Sequence, residues 1–505
     1  MVGDASGTAF LARATAGGDG RRRVGADLMA NGEWQMVNDE SSDHPSTVYR
    51  LPSVVILGLA RQGKALARFF AEQGWRVTVS DTRKPEALQD AMRELSDLNL
   101  HYVLGEHPLS LLDDCDLFCT SGGVPSDLPV VQEAARRGIP LSNDAQEFMR
   151  RCPAPIVGIT GSAGKTTTTT LVGKMLAETG FTTWVGGNIG NPLINDLPAM
   201  QPTDRVVMEL SSFQLELMQI SPQIAGVLNI TPNHLDRHKT MEAYIAAKAN
   251  IVTHQRESDI AVLGYDEPNA RALAELTKAE VRYFSGTSAV NGAFLQGDTL
   301  VLQRAEGRVA VCERRALRLR GMHNVLNALA AMALADATGA SVAAMERVLS
   351  TFTGVEHRLE EVRRLNGVLW INDSIATAPE RVMAALRAFD EPLILLAGGR
   401  DKDLPWEDFA RTVTQRVRVL VLFGEAAALI GRHVEAALAE ARAQHRPLVL
   451  QTVIPAGTLE NAVQTAARYA RSGDVVLLSP GGTSFDAYRD FAERGEHFRQ
   501  LVMAL

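Results

Sequence analysis

From residue 53 onward, fully apolar runs alternate with amphipathic stretches, and the alternation restarts twice. Val54-Val55-Ile56-Leu57 is a continuous apolar run ending at Gly58, the pattern of a strand buried on both faces. A helical pattern follows through Ala65-Leu66-Ala67-Arg68-Phe69-Phe70, and a second strand, Arg76-Val77-Thr78-Val79-Ser80, closes at Asp81. Strand, helix and strand in that order predict a Rossmann-like βαβ unit. The alternation continues through Leu117-Phe118-Cys119-Thr120 into the loop Ser121-Gly122-Gly123-Val124-Pro125, which falls where such sheets bind ligands. Pro153-Ala154-Pro155 marks a break, after which Ile156 and Val157 open a new strand and further strands are predicted over 205–209 and 225–229. After Gly354 the pattern starts a third time. It predicts strands over 368–372, 393–397, 417–423 and 475–479, a helix over 380–389 and a final amphipathic helix. The expected architecture is α/β in three domains, residues 49–150, 151–354 and 355–505. Residues 1–48 show no sustained periodicity and are expected to form a disordered extension.

Composition narrows the field of functions. With 505 residues, 46% of them hydrophobic and 22% charged, the chain can bury several cores. A net charge of −8 leaves no electrostatic footprint for nucleic acid, so small-molecule chemistry is expected. Cys115, Cys119, Cys152 and Cys312 contain no C-x-x-C pair and are too sparse for a disulfide framework, which suits reduced cytoplasmic thiols. No apolar run reaches the roughly 18 residues of a membrane span, so no membrane insertion is expected.

The densest chemistry lies at Thr160-Gly161-Ser162-Ala163-Gly164-Lys165-Thr166-Thr167. Gly161 and Gly164 let backbone N–H groups approach phosphate oxygens, while the following helix N-terminus and Lys165 favour their negative charge. Thr166 would place its hydroxyl on Mg²⁺. The spacing is T-G-x-x-G-K-T, because the first glycine of the general phosphate-loop pattern would fall at Ile159. ATP binding is the expectation. Glu209 ends an apolar strand, the position from which a carboxylate reaches the Mg²⁺ held by the loop threonine. His234 and His238, with Asp236 between them, follow another strand and could serve a cation or a phosphate. Lys248 lies in a helical stretch among small apolar residues that would lower its pKa if it faced inward. Asn324 and Asn327 share a helix face and would either hold an adenine edge or cap the helix. Near the N-terminal strand, Gly58-Leu59-Ala60-Arg61-Gln62-Gly63 has alanine where a dinucleotide fingerprint has its middle glycine, weak evidence for NAD. Asp81 could accept a ribose hydroxyl or simply occupy a turn.

T-G-S-A-G-K-T from Thr160, G-G-N-I-G from Gly186, E-L-S-S-F-Q-L-E from Glu209, N-I-T-P-N-H-L-D-R-H from Asn229, A-A-K from Ala246, G-M-H-N-V-L-N-A-L-A-A from Gly321 and S-P-x-x-x-S-F-D from Ser479 together resemble the Mur ligase family in order and spacing. The likeness covers residues 50–505. It implies a Rossmann-like UDP-binding domain, a central P-loop ATPase domain and a C-terminal Rossmann-like domain that binds glutamate. It further implies a cytoplasmic, monomeric enzyme of peptidoglycan precursor synthesis. Such an enzyme ligates glutamate, D-glutamate foremost, to UDP-N-acetylmuramoyl-L-alanine through an acyl phosphate, releasing ADP and phosphate. The family's L-glutamate-adding ligase and a folylpolyglutamate-type synthase are the alternatives, and the first-domain nucleotide unit argues against the latter. An NAD-dependent oxidoreductase or a non-catalytic nucleotide scaffold would leave Lys165, Glu209, His234, Lys248 and Asn324 without a joint role.

By this resemblance Lys165 and the loop amides of residues 160–167 hold the phosphates. Thr166 and Glu209 serve one Mg²⁺, and His234 serves a second together with Lys248, carbamylated by CO₂. Asn188 lies near the reacting phosphate, Asn324 and Asn327 beside the adenine, and Arg358 and Asp373 at the ATP site from the third domain. Lys402, Ser484 and Phe491 match the glutamate pocket, and Leu59, Asp81, Thr82 and Arg83 the UDP site. Two stretches depart from the family pattern. N-D-S-K-A-T-N is here Asn372-Asp373-Ser374-Ile375-Ala376-Thr377-Ala378, and S-P-G is Ser121-Gly122-Gly123. Ile375 removes a positive charge near acidic substrates, which leaves the chirality of the glutamate open.

Overall fold

The computed structural model describes residues 50–190, 192–319, 321–402 and 404–505, and a short antiparallel pair, Ala26–Leu28 with Trp34–Met36. The expectation of disorder over residues 1–48 otherwise lies outside the described residues. Met1–Leu51 and Pro52–Leu505 are separate units, and the second holds three α/β sheets.

The first sheet has five parallel strands, β1 (Ser53–Leu57), β2 (Arg76–Asp81), β3 (Leu100–Leu104), β4 (Leu117–Thr120) and β5 (Leu141–Ser142), in the order β3-β2-β1-β4-β5. The unbroken apolar run of β1 follows from its central place. Val54 and Ile56 enter one core, Val55 and Leu57 another on the opposite face, and all four are buried. The strand order reverses between β1 and β4, so the crevice at their carboxyl ends gathers Leu59, Asp81 and Ser121. Gly63 is required by close packing: a Cβ there would lie 1.8 Å from the Gly58 carbonyl oxygen.

The middle sheet has nine strands, β6 (Ile156–Thr160), β7 (Thr183–Gly187), β8 (Arg205–Glu209), β9 (Ile224–Val227), β10 (Ile260–Gly264), β11 (Glu280–Ser285), β12 (Gly292–Gln296), β13 (Thr299–Arg304) and β14 (Gly307–Glu313). Their order is β14-β13-β12-β11-β10-β9-β6-β8-β7, parallel from β12 to β7, with β13 and β14 added antiparallel. β6 is central, so the loop it feeds opens between β8 and β9. β9 ends earlier than the predicted residue 229, because Asn229 turns back to bond the loop after β6. The alanine-rich helix Met322–Ala337 is buried continuously from Ala328 to Ala335, and its small side chains let it lie close against the sheet and the helix Lys165–Thr179.

The third sheet contains β15 (Glu360–Leu365), β16 (Val368–Asn372), β17 (Leu393–Gly398), β18 (Val417–Phe423), β19 (Thr452–Gly457) and β20 (Val475–Gly481), ordered β15-β16-β20-β17-β18-β19. Only β15 is antiparallel to its neighbour. The helix expected over 380–389 is Pro379–Leu386; Arg416 takes the Leu386 and Phe389 carbonyls, which terminates it. The α/β, three-domain expectation matches this architecture. Among the described residues no helix is long and apolar enough to cross a membrane.

Candidate active site

β6 delivers Thr160 buried at its end, and the next four residues form a tight loop before the helix Lys165–Thr179. Asn229 holds this loop from the neighbouring strand. Its carbonyl accepts from Ser162 N (2.8 Å), its Oδ1 accepts from Ala163 N (2.8 Å), and its Nδ2 donates to the Ala163 carbonyl (3.1 Å). Gly164 turns with φ +86°, and a Cβ there would lie 2.2 Å from Asn327 Oδ1. Asn327 in turn donates to Asn324 Oδ1 at 3.2 Å, so the two asparagines back the loop from the alanine-rich helix. Lys165 donates to the Gly161 carbonyl at 2.9 Å; burial lowers its pKa, Glu209 raises it, and Arg358 and Arg381 lower it further.

Two side chains meet on the Thr166 hydroxyl, and a third holds one of them. The hydroxyl donates to Glu209 Oε2 (2.8 Å) and receives Arg358 Nη1 (2.6 Å), while Asn188 Nδ2 donates to Glu209 Oε1 (2.9 Å). A hydroxyl and a carboxylate of this kind suit Mg²⁺, a hard cation that prefers oxygen. Among the described residues no cluster of three or more His, Cys, Asp and Glu could hold a metal.

Lys248 points inward. It is 1% exposed, donates to Thr160 Oγ1 and the Gly161 carbonyl at 3.2 Å each, and lies 4.8 Å over the Tyr244 ring. Burial and then Lys165 push its pKa well below the ordinary lysine value, with Glu209 opposing. A file of rings leads outward: Tyr244 against His238 (5.2 Å), His238 stacked on Phe213 (5.3 Å), and Phe213 against His234 (5.2 Å). His238 is buried and shares a hydrogen bond of 2.9 Å with Ser212. His234 is exposed and has φ +53°.

The third domain closes the other wall. Asp373 accepts from Ser479 Oγ (2.8 Å) and Leu359 N (3.2 Å), yet burial raises its pKa to about 6. Lys402 Nζ stands 3.5 Å from Thr377 Oγ1. Arg400 N donates to the Thr483 carbonyl (2.9 Å) and Thr483 N to the Arg400 carbonyl (2.8 Å), which puts Lys402 and Ser484 on paired loops. Ser374 Oγ donates to the Phe491 carbonyl at 2.7 Å, so Lys402 and Phe491 both border the 372–377 loop.

In the first domain the carboxylate of Asp81 receives Leu59 N (2.8 Å) and a bidentate Arg83 (3.0 and 2.7 Å). Burial alone would raise its pKa, but the Arg83 hydrogen bond and the backbone N–H groups of Leu59 and Arg83 win and hold it at about 2. Thr82 lies exposed beside them.

Several residues escaped the sequence reading. Arg61 of the degraded fingerprint donates to the Asn188 and Gly190 carbonyls and so spans two domains. Asn229 stood inside a quoted motif without a role. Arg381 and Arg494 lie in ordinary helices with no local signal. Arg494 is fully buried and donates to the Ser374, Gly482 and Thr483 carbonyls, pinning the two loops that carry Asp373 and Ser484.

Comparison with known proteins gives three family matches in chain order: a MurD-like Mur ligase N-terminal domain over residues 52–143, a Mur ligase middle domain over 159–335, and a Mur ligase glutamate ligase domain over 357–482. The chain is similar to proteins named UDP-N-acetylmuramoylalanine–D-glutamate ligase. The one from Symbiobacterium thermophilum is 42% identical over 453 residues, 89% of this chain and 97% of the relative. The one from Clostridium kluyveri is 40% identical over 88% of this chain and 95% of the relative. Among solved structures, UDP-N-acetylmuramate-alanine ligase MurC of Thermotoga maritima shares the fold at TM-score 0.50 and 19% identity, covering 90% of this chain and 99% of that one. Three matched domains in chain order, with relatives about 40% identical over nearly nine-tenths of the chain, place it in the Mur ligase family of ATP-dependent amide ligases.

Proposed function

We propose that the protein joins D-glutamate to UDP-N-acetylmuramoyl-L-alanine at the expense of ATP, with ADP and phosphate as the other products. The observation that carries this reading is Arg358 Nη1 on Thr166 Oγ1 at 2.6 Å, which sets the third domain directly against the phosphate loop. The names of relatives 37–42% identical to the chain favour D-glutamate over L-glutamate. Lys165 and the loop amides bind the ATP phosphates; Lys165, being screened from water, concentrates its charge on them. Arg358 neutralises charge on the transferring phosphoryl group, and Asn188 orients Glu209. Mg²⁺, held by Thr166 and Glu209, supplies further neutralisation of the phosphates when bound. Lys402 and Ser484 orient the incoming dicarboxylate so that its amine faces the activated acyl carbon. Leu59, Asp81, Thr82 and Arg83 anchor the uridine diphosphate.

Lys248 takes a carbamate in this reading. Carbamate forms from the neutral amine and CO₂, and burial shifts this amine toward its neutral form. The product is an anionic oxygen ligand beside Thr160 and the Gly161 carbonyl, and with His234 it would serve a second Mg²⁺.

The test is ADP release from ATP in the presence of UDP-N-acetylmuramoyl-L-alanine with D-glutamate, with L-glutamate, or with neither. Release that requires D-glutamate is expected. No stimulation by either isomer would overturn the ligase reading, and preference for L-glutamate would overturn its stereochemistry.

A further inference from the structure

The cleft between the phosphate loop and the third domain carries more positive charge than the residues discussed so far account for. Arg381, on the helix Pro379–Leu386, donates Nη1 to the Ile375 carbonyl at 3.2 Å, and no ion pair to it is formed among the described residues. The Ile375 carbonyl belongs to the backbone position where the motif loses its lysine, so the guanidinium stands at the root of that missing side chain. Solvent reaches the residue, hence a substrate can too.

Its electrostatic neighbours define the place. The cleft walls and then Arg358 disfavour its charge, while Asp373 and Glu209 favour it. Arg381 in turn lowers the pKa of Lys165 and of Lys402. Asp373, whose pKa burial raises to about 6, loses its charge only as pH falls through that value. Lys165, Arg358 and Arg381 thus share the space in front of Glu209, Asp373 and Glu380. Like charges so placed repel one another, and an anion lying between them relieves that cost. Ile375, whose carbonyl Arg381 holds, donates its N–H to the carbonyl of His357 at 3.1 Å, and the next residue, Arg358, reaches Thr166 of the phosphate loop. The anion in question is therefore phosphoryl rather than the glutamate held at Lys402.

We propose that Arg381 is a catalytic residue that binds an oxygen of the phosphoryl group in transfer, supplying from the next helix the positive charge that Ile375 withholds. This rests on the ligase reading above. In the step concerned, an oxygen of the acceptor carboxylate bonds to the γ-phosphorus. The bond from that phosphorus to the bridging oxygen breaks, and its electron pair leaves with ADP. Arg381 exchanges no proton; its planar fork meets the equatorial oxygens as their charge spreads.

The experiment compares wild type, Arg381→Ala, Arg381→Lys and the double variant Arg381→Ala/Ile375→Lys. Acyl-phosphate formation is followed without glutamate by trapping with hydroxylamine in a single turnover, and kcat and KM for ATP and for D-glutamate are measured alongside. For Arg381→Ala, trapping and kcat are expected to fall about 100-fold, the scale for losing one donor to developing charge. KM for glutamate should move less than about threefold, as for an interaction specific to the transition state. The double variant should regain about tenfold, since a lysine at 375 starts from the same spot; a merely structural arginine would not be rescued by moving its charge. Undiminished trapping in Arg381→Ala, a loss confined to KM for glutamate, or a double variant no better than the single one would each overturn the proposal. Wild type that traps no hydroxamate would overturn the ligase reading itself.

Discussion

Lys248 shows how little one residue's identity says without its surroundings. In sequence it is a helical lysine with equal claims to solvent and interior; in the structure it is 1% exposed, with a pKa depressed by burial. If that amine carries a carbamate, activity in CO₂-depleted buffer should fall and return on adding bicarbonate, while Lys248→Ala should be inactive in both. Full activity of the depleted enzyme would exclude the carbamate. Gly164 is the second sensitive position. Its left-handed backbone costs an alanine about 1–2 kcal/mol, and the added Cβ would collide with Asn327, 2.2 Å away. Gly164→Ala should weaken ATP binding by at least about tenfold in calorimetry; unchanged affinity would show that the loop readjusts freely.

Elements put single motifs to double use. E-L-S-S-F-Q-L-E from Glu209 reads as one catalytic signature, yet only Glu209 faces Thr166. Ser211 and Gln214 form a capping box on the short helix Ser212–Leu215, and Gln214 reaches the first domain, its carbonyl receiving Asn143 Nδ2 at 2.8 Å and its amide donating to Asp144 at 3.3 Å. Asp144 is buried, which raises its pKa from 3.8 to about 6 despite the Gln214 hydrogen bond. The folded state therefore binds more protons than the unfolded state between about pH 4 and 6. Stability from this group is full below that window and falls as pH rises through it. Asp144→Asn should flatten that fall and raise the melting temperature at pH 7 relative to wild type, as read by scanning calorimetry. A parallel pH curve would show that Asp144 is not the group responsible.

At the scale of the whole molecule, the third domain stands against the second. Arg358 makes that contact through Thr166, and Arg358→Ala should lower kcat about 100-fold with the fold intact. ATP with Mg²⁺ at about 100 times its Kd should add about 2.7 kcal/mol to unfolding of wild type and distinctly less to the variant. An equal thermal shift would mean that Arg358 takes no part in holding nucleotide.

The sequence by itself determined the three α/β domains, because strands buried on both faces must be apolar throughout, as Val54–Leu57 are. It determined the phosphate loop as well, since a backbone that must bend through Gly164 and meet phosphate leaves glycine, lysine and threonine at adjacent positions. Tertiary structure alone decided what lies opposite that loop. Arg61, Arg358 and Arg494 act across 120 to 192 residues, through hydrogen bonds to Asn188, Thr166 and Ser374. Periodicity records which face of an element is buried but not which distant backbone it meets. Arg381 and Arg494 look alike in sequence, and only the folded chain buries Arg494 on the Ser374, Gly482 and Thr483 carbonyls while leaving Arg381 exposed on the Ile375 carbonyl.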